Sequence, residues 1–198
     1  MNISFGNKIP ISNTQIYDKN KNAFVDATVY EIDCKDEEDV NYLSNGGIWA
    51  FKMPVMIAMK NKHRQMSNYD NLSDFEKVCA NVDKFYSIET EDNVPRAYCE
   101  IMDFPYGNTD IKYIESDQQK LYKYAGTALI ASLAKQLAKY EGRVLCVSDP
   151  ATEAETYYKN ALGFEKNEGR GYHLDSNKIK NFVEEVERKT APIVDVIA

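Results

Sequence analysis

Hydrophobic and polar positions along the chain separate into strand-like and helix-like stretches. Ala23 to Asp33 (AFVDATVYEID) is rich in β-branched and aromatic residues and reads as a strand. The 22 residues before it are polar with scattered apolar positions, which fits an extended arm or a loose hairpin. Lys35 to Ser44 opens with four acids, Asp36 to Asp39, ahead of Val40, Tyr42 and Leu43. Acids in a first turn suit a helix N-terminus, and Gly46-Gly47 ends it. Residues 48–66 allow a strand over 48–53 followed by a helix opened by Pro54, or a second strand. Asn71 to Lys84 predicts a helix: Ser73 caps it, Glu76 sits three residues on, and Phe75, Val78, Val82 and Phe85 recur at helical spacing.

Three strands follow, at Phe85–Thr90, Arg96–Phe104 and Asp110–Glu115, the first two joined by a turn at Glu91-Asp92-Asn93. Lys120 to Lys139 is the clearest helix, rich in Leu, Ala, Lys and Gln, and Glu141-Gly142 stops it. Arg143–Ser148 is a short apolar strand. Asp149-Pro150 opens a helix that runs to about Leu162 and stops at Gly163. Phe164–Leu174 is a broken strand or hairpin around Gly169 and Gly171. Ser176–Lys189 is a last helix with Ile179, Phe182, Val183 and Val186 on one face.

A helix between the strands Ile111–Glu115 and Arg143–Ser148 predicts that those two run parallel. The earlier hairpin-like connections predict antiparallel neighbours. The expected fold is α/β in the broad, α+β sense: a mixed, twisted sheet with helices on both faces. The chain of 198 residues reads as one domain, with an N-terminal arm at 1–22, a core at 23–175, and a C-terminal helix and tail at 176–198.

Composition narrows the function classes. The chain is 43% hydrophobic and 28% charged, ordinary globular values. No segment holds 18 uninterrupted apolar residues, so no membrane span is expected. Lys and Arg total 24 against 31 Asp and Glu, a net charge of −7. Such a surface repels phosphate backbones and disfavours a nucleic-acid partner. Cys34, Cys79, Cys99 and Cys146 form no CxxC pair. With only His63 and His173 beside them, no metal site is expected. Residues 1–10 carry no basic, then apolar, leader pattern, so a cytoplasmic location with reduced thiols is expected.

Two stretches carry candidate chemistry. Lys120 to Ile130 (KLYKYAGTALI) enters the long helix, where unpaired backbone N–H groups and the positive dipole end can hold a phosphate. Ala125, Gly126 and Ala128 give clearance, and Lys120 and Lys123 add charge. Gly126 is equally explained by helix–sheet packing. The second stretch, Ala154 to Glu165, places Tyr157 and Tyr158 near a helix end, ahead of Gly163-Phe164. A Tyr there can give a proton to a leaving group, or simply fill the core.

Together the two stretches resemble the GNAT superfamily of N-acyltransferases. That family carries a Q/R-x-x-G-x-G/A turn into a helix reading G-T-A-L-L, then a strand, then a helix ending F-Y-x-K-L-G-F. Gly126-Thr127-Ala128-Leu129-Ile130 matches the first block, and Tyr157-Tyr158 through Gly163-Phe164 the second. The resemblance covers residues 85–170. It departs in two places. If Gly126 is the motif's last glycine, Tyr124 replaces the first and Leu121 the Gln/Arg; if it is the first, Lys123 takes the Gln/Arg place. One extra residue also lies between Tyr158 and Gly163.

The resemblance implies a GNAT-like sheet with a splayed parallel strand pair. It implies transfer of an acetyl group from acetyl-CoA to a primary amine by direct attack in a ternary complex. Residues Lys120, Lys123, Tyr124, Ala125, Gly126, Thr127 and Ala128 would hold the cofactor. Glu100 would accept the amine's proton, and Tyr158, or else Tyr157, would protonate the thiolate. The acceptor is a small amine or a protein or peptide amine, and the last helix is compatible with a homodimer. Two other readings stand beside it: a GNAT-fold module that binds CoA or a protein without catalysis, and a vicinal-oxygen-chelate metalloenzyme, whose members share F-Y-x-x-x-L-G-F. The latter needs βαβββ repeats and His/Glu ligands, and no repeat is present. Trp49, Phe51, Met53, Met56 and Met59 read as core or as an apolar acceptor pocket, and His63 as part of a basic solvated turn.

Overall fold

In the computed structural model, the β-rich runs gather into one mixed sheet of ten strands. The structure describes residues 8–35, 53–104, 107–116, 121–140, 142–148, 150–167, 169 and 171–196, with backbone only for 53–56. The helix expected over 35–44, the Gly46-Gly47 stop, and Trp49 and Phe51 lie outside the described residues.

Strands β1 (Ile9–Asp18), β2 (Ala23–Glu31), β3 (Asp83–Thr90), β4 (Pro95–Asp103) and β5 (Thr109–Ser116) form an antiparallel ladder. Of the two forms expected for this segment, an arm or a loose hairpin, the structure has the hairpin: from Ile9 it pairs with β2 as far as Asp18, with a bulge at Ile11. Its inward positions Ser12, Thr14 and Asp18 are polar and buried, which hides the alternation from a hydrophobicity reading. β6 (Tyr122–Lys123) and β10 (Val194–Asp195) also pair with β1. Beyond β5 lie β7 (Leu145–Val147), β9 (Tyr172–Leu174) and β8 (Glu165–Lys166). β5 and β7 run parallel, as the intervening helix requires.

Helices α1 (Met53–Ser67), with Pro54 in its first turn, and α2 (Asp74–Val82) precede β3. The Ser73–Glu76 capping box forms as expected. Phe75 and Val78 differ from expectation: they are 76% and 58% exposed, and α2 buries Ala80 and Val82 instead. His63 is not in a solvated turn, because its Nδ1 lies 2.9 Å from the Cys34 carbonyl. α3 (Ala125–Leu137) is apolar nearly all round and buried, as a central helix must be. α4 (Thr152–Thr156) passes into a π-helical turn, Tyr157–Ala161. α5 (Ser176–Lys189) buries Ile179, Phe182, Val183 and Val186, the four residues its periodicity selects.

Helices cover both sheet faces. α3 packs on the sheet, in one cluster with Val29, Ile88, Ala97, Cys99 and Ile111, and α5 packs on α3. On the other face Met59 of α1 packs with Ile32, Cys34, Phe85 and Tyr98. Fully burying one such aliphatic or aromatic side chain contributes about 1.5–3 kcal/mol.

Candidate active site

The parallel pair sets the site. β5 and β7 are in register at Thr109↔Leu145, Asp110↔Cys146 and Ile111↔Val147, and the pairing stops there. Across β4, the register moves from Glu100↔Tyr113 to Ile101↔Ile111, which leaves Lys112 as an extra residue in β5. A bulge of this kind bends its strand, so β5 turns away one residue after its last partner on β7. Residues 113–116 then pair with β4 alone among the described residues. Their other edge faces a cleft of about 230 Å³, lined by Tyr113, Glu115, Val147, Ser148, Ala154 and Tyr158 among others. Unpaired strand edges bind extended amide-bearing ligands by main-chain hydrogen bonds.

The base of the splay is fastened by polar contacts. The Arg143 guanidinium donates to the Asp103 carboxylate and, at 2.7 Å, to the Thr109 hydroxyl. The Thr109 hydroxyl donates to the same Asp103 carboxylate at 2.9 Å. Burial alone would raise the Asp103 carboxyl; Thr109, Lys84 and Arg143 outweigh it and hold the group below the usual aspartate range.

At the far end stands the first turn of α3. The helix starts at Ala125, later than the sequence suggests, because Tyr122 and Lys123 pair with Asp18 and Tyr17 of β1. Tyr124 caps the helix in the left-handed region, φ 71°. Its ring stacks on Phe24, centroids 6.5 Å apart, and Phe24 meets Tyr17 edge-on. The phenol is thereby held against the β1–β2 hairpin. Lys123 is exposed, its ammonium 5.4 Å from the centre of the Tyr17 ring, and Lys120 lies outside the described residues. Gly126 is buried, and a Cβ there would lie 2.7 Å from Ser116 Oγ, so the glycine lets α3 approach the end of β5. Ala125, Gly126 and Thr127 hold the first N–H groups of a 13-residue helix, which have no partner within the helix itself.

The two tyrosines part company. Tyr158 is buried, lines the cleft, and packs edge-on against Tyr157 and Phe164 at 5.6 and 5.7 Å. The Tyr157 hydroxyl lies 2.7 Å from Thr127 Oγ1, linking the π-turn to α3. Burial pushes both phenols up, so both keep their protons at neutral pH. The π-turn absorbs the extra residue between Tyr158 and Gly163: Leu162 N–H donates to the Tyr157 carbonyl and Phe164 N–H to the Tyr158 carbonyl. Single π-turns of this kind recur at functional sites.

The carboxylates are arranged differently from the sequence expectation. Glu100 is buried in mid-strand, but it is held by the bulged Lys112 at 2.8 Å and does not line the cleft. Lys112 also reaches Asp83 at 3.5 Å. Burial would lower this ammonium's pKa, and Glu100 with Asp83 raises it instead. The carboxylate that lines the cleft is Glu115, which accepts a hydrogen bond from the Tyr113 hydroxyl. Only the register beyond the bulge brings Glu115 there, and sequence periodicity carries no sign of it. Among the described residues one group of three metal-ligand types lies together: Glu165 of β8, His173 of β9 and Asp175, which caps α5. None of them lines the cleft, and Lys178 is already paired with Glu165.

No family model matches the chain, and no curated protein sequence matches it. Solved structures do. A protein from Desulfovibrio desulfuricans, described as an acetyltransferase of the GNAT family, is 15% identical over 76% of this chain and 99% of its own, with a TM-score of 0.53. The chain has the GNAT fold. Another structure with that fold, AtaTR bound with acetyl-CoA, is 13% identical over 78% of this chain and 96% of its own, at TM-score 0.53. A tyrosine-to-phenylalanine mutant of the AtaT toxin, bound to the antitoxin AtaR C-terminus and acetyl-CoA, matches at 11% identity and TM-score 0.52, over 78% and 96%. An AtaT–AtaR complex on DNA matches only at TM-score 0.46 and carries no weight for this chain. The GNAT fold, with one parallel pair among the described residues, leaves no place for the βαβββ metalloenzyme reading.

Proposed function

We propose that this chain is an acetyl-CoA-dependent N-acyltransferase that moves an acetyl group to a primary amine. The observation that carries the reading is the cleft between β5 and β7. It has a bare strand edge on one side, Tyr158 on the other, and the first turn of α3 near its end. Proteins of the same fold are known with acetyl-CoA bound.

The bare edge of residues 113–116 would hold the pantetheine amides, and the N–H groups of Tyr124 to Thr127 the pyrophosphate, with Lys123 adding charge; the Ala128 N–H, expected to join them, is taken by the Tyr124 carbonyl. Acetyl-CoA supplies the thioester. The amine nitrogen attacks its carbonyl carbon, the C–S bond breaks, and the thiolate takes the phenolic proton of Tyr158. The proton leaving the amine goes to Glu115, directly or through a water. We assign that role to Glu115 rather than Glu100 because Glu115 lines the cleft. Tyr157, engaged with Thr127, positions the helix end. Proximity carries a large part of such a reaction, so neither side chain need be indispensable.

The acceptor is a small amine or an amine of a protein or peptide. The net charge of −7 favours a cationic acceptor over a nucleic acid. A non-catalytic CoA-binding module is the second reading, favoured by the departures from the family's motif: Tyr124 takes the place of its first glycine if Gly126 is the last, and Lys123 that of its Gln/Arg if Gly126 is the first. Incubating the protein with acetyl-CoA and a panel of primary amines, and following release of the CoA thiol, separates the two. Amine-dependent release with acetylated product supports the enzyme; saturable binding with no release across the panel supports the module.

A further inference from the structure

A carboxylate that this chemistry leaves unused lies on the same sheet face as Glu115. The Glu89 side chain is 1% accessible, and Lys8 Nζ, 6% accessible, sits 2.5 Å from its Oε2. The Ser87 hydroxyl donates to Glu89 Oε1 at 2.8 Å. The Lys8 ammonium also lies 4.9 Å from the centre of the Tyr30 ring. A buried carboxylate, a hydroxyl and an aromatic face are what a primary ammonium requires, in charge, hydrogen bonding and cation–π contact. Burial pushes the Glu89 carboxyl up, and Lys8 and Ser87 offset part of that, so its charged form depends on the ammonium and the hydroxyl beside it.

This cluster lies on the strand face that carries Glu115. Ser87 faces Tyr98 across β3–β4, and Tyr98 faces Glu115 across β4–β5. Two strand spacings, about 10 Å, separate Ser87 from Glu115. Lys8 is delivered from the residue before β1, where pairing begins at Ile9↔Glu31 and Ile9 is 52% exposed. Strand ends open more readily than strand centres, so an opening that exposes the Lys8 ammonium need not reach the middle of the sheet.

We propose that Glu89, Ser87 and Tyr30 form a binding site for a primary alkylammonium, and that Lys8 is its tethered occupant, displaced when a free alkylamine binds. The inference rests on the acyl-transfer reading for its role, as the place where an amine-bearing acceptor docks, and not for its test.

The test uses the full chain without acetyl-CoA. Lysines are labelled with an amine-acetylating reagent while n-butylammonium is titrated, and peptide mass spectrometry gives the labelling of Lys8 relative to Lys180, whose side chain is 81% accessible. Without amine, Lys8 should label about tenfold or more slowly than Lys180, as expected for a group reached only by local opening. The ratio should climb saturably with n-butylammonium, and not with sodium chloride or 1-butanol at equal concentration. Glu89→Gln, or the milder Ser87→Ala if that variant folds poorly, should raise the ratio with no amine present. A ratio that ignores n-butylammonium, or that moves equally with sodium chloride, marks a structural ion pair and overturns the proposal. Displacement without any acetyl transfer would leave this site standing and remove the proposed activity; transfer without displacement would do the reverse.

Discussion

Tyr158→Phe and Tyr157→Phe should behave oppositely, and the reason lies in what each hydroxyl does. Phenylalanine at 158 keeps the edge-on contacts with Tyr157 and Phe164 and loses only the hydroxyl at the cleft. Its stability should stay within about 0.5 kcal/mol of the parent. A positioned general acid is worth about 10²–10⁴ in rate, or ~3–5 kcal/mol of barrier, so kcat should fall by that factor. Phenylalanine at 157 instead removes the 2.7 Å contact with Thr127. One such hydrogen bond contributes about 1 kcal/mol. That corresponds to about 2–4 °C in the melting temperature of a chain this size, with kcat little changed. Thermal melts and amine-dependent CoA release on both variants give the comparison. Turnover by Tyr158→Phe within about threefold of the parent would refute its role as the acid. So would an equal loss in both variants, which would mean that the aromatic cluster merely shapes the helix end.

Asp103→Ala removes the carboxylate partner of the Arg143 guanidinium at the base of the splay and leaves its contact with Thr109. Breaking a buried pair costs about 3–5 kcal/mol, and because Asp103 is 23% accessible about 2 kcal/mol is expected in urea unfolding. The same carboxyl sets an acid limb. Its folded pKa lies below the ordinary 3.8, so its contribution is fully present above that pH and is lost as pH falls through the lower folded value; Asp103→Asn should flatten unfolding curves taken below pH 4. The Tyr158 phenol, raised by burial, should stay protonated past the ordinary phenol value of 10.0, so kcat should show no alkaline fall up to that pH. Gly126→Ala puts a Cβ 2.7 Å from Ser116 Oγ. Overpacking costs about 1–3 kcal/mol, against about 1 kcal/mol gained in helix propensity. Adding Ser116→Ala should recover at least ~0.5 kcal/mol in a double-mutant cycle.

Elements whose inward face is apolar were legible in the sequence. α5 is the clearest, with Ile179, Phe182, Val183 and Val186 all buried. The capping box at Ser73, the β3–β4 turn and the parallel β5–β7 pair were legible too. β1 was legible only as one of two options, an arm or a loose hairpin, because Ser12, Thr14 and Asp18 point inward; the Asp18 carboxylate closes the turn by accepting from the N–H groups of Asn20 and Lys21. The start of α3 was misread because Leu121 to Tyr124 suit a helix in composition, while β1 offers Tyr122 and Lys123 strand partners. Phe75 and Val78 keep helical spacing yet face outward, so periodicity marked a stripe without marking the side that is covered.

The candidate site was legible in its residue types and less so in its geometry. The extra residue after Tyr158 showed in the sequence as a departure, and only the backbone shows it taken up as a π-turn. The bulge at Lys112 has no sequence signal, since it is a register shift between two strands that each look regular. That shift decides which acid lines the cleft, and it is why Glu100 stood out in the sequence and Glu115 did not.

Calorimetric titration of acetyl-CoA into the purified chain tests the central claim most directly, because the cleft, the bare strand edge and the first turn of α3 must act together to bind it. One-to-one, saturable binding in the micromolar range, weakened when Gly126 is replaced by a bulkier residue, is the result this account predicts. Absence of heat at millimolar acetyl-CoA, from a protein that melts cooperatively, would contradict it.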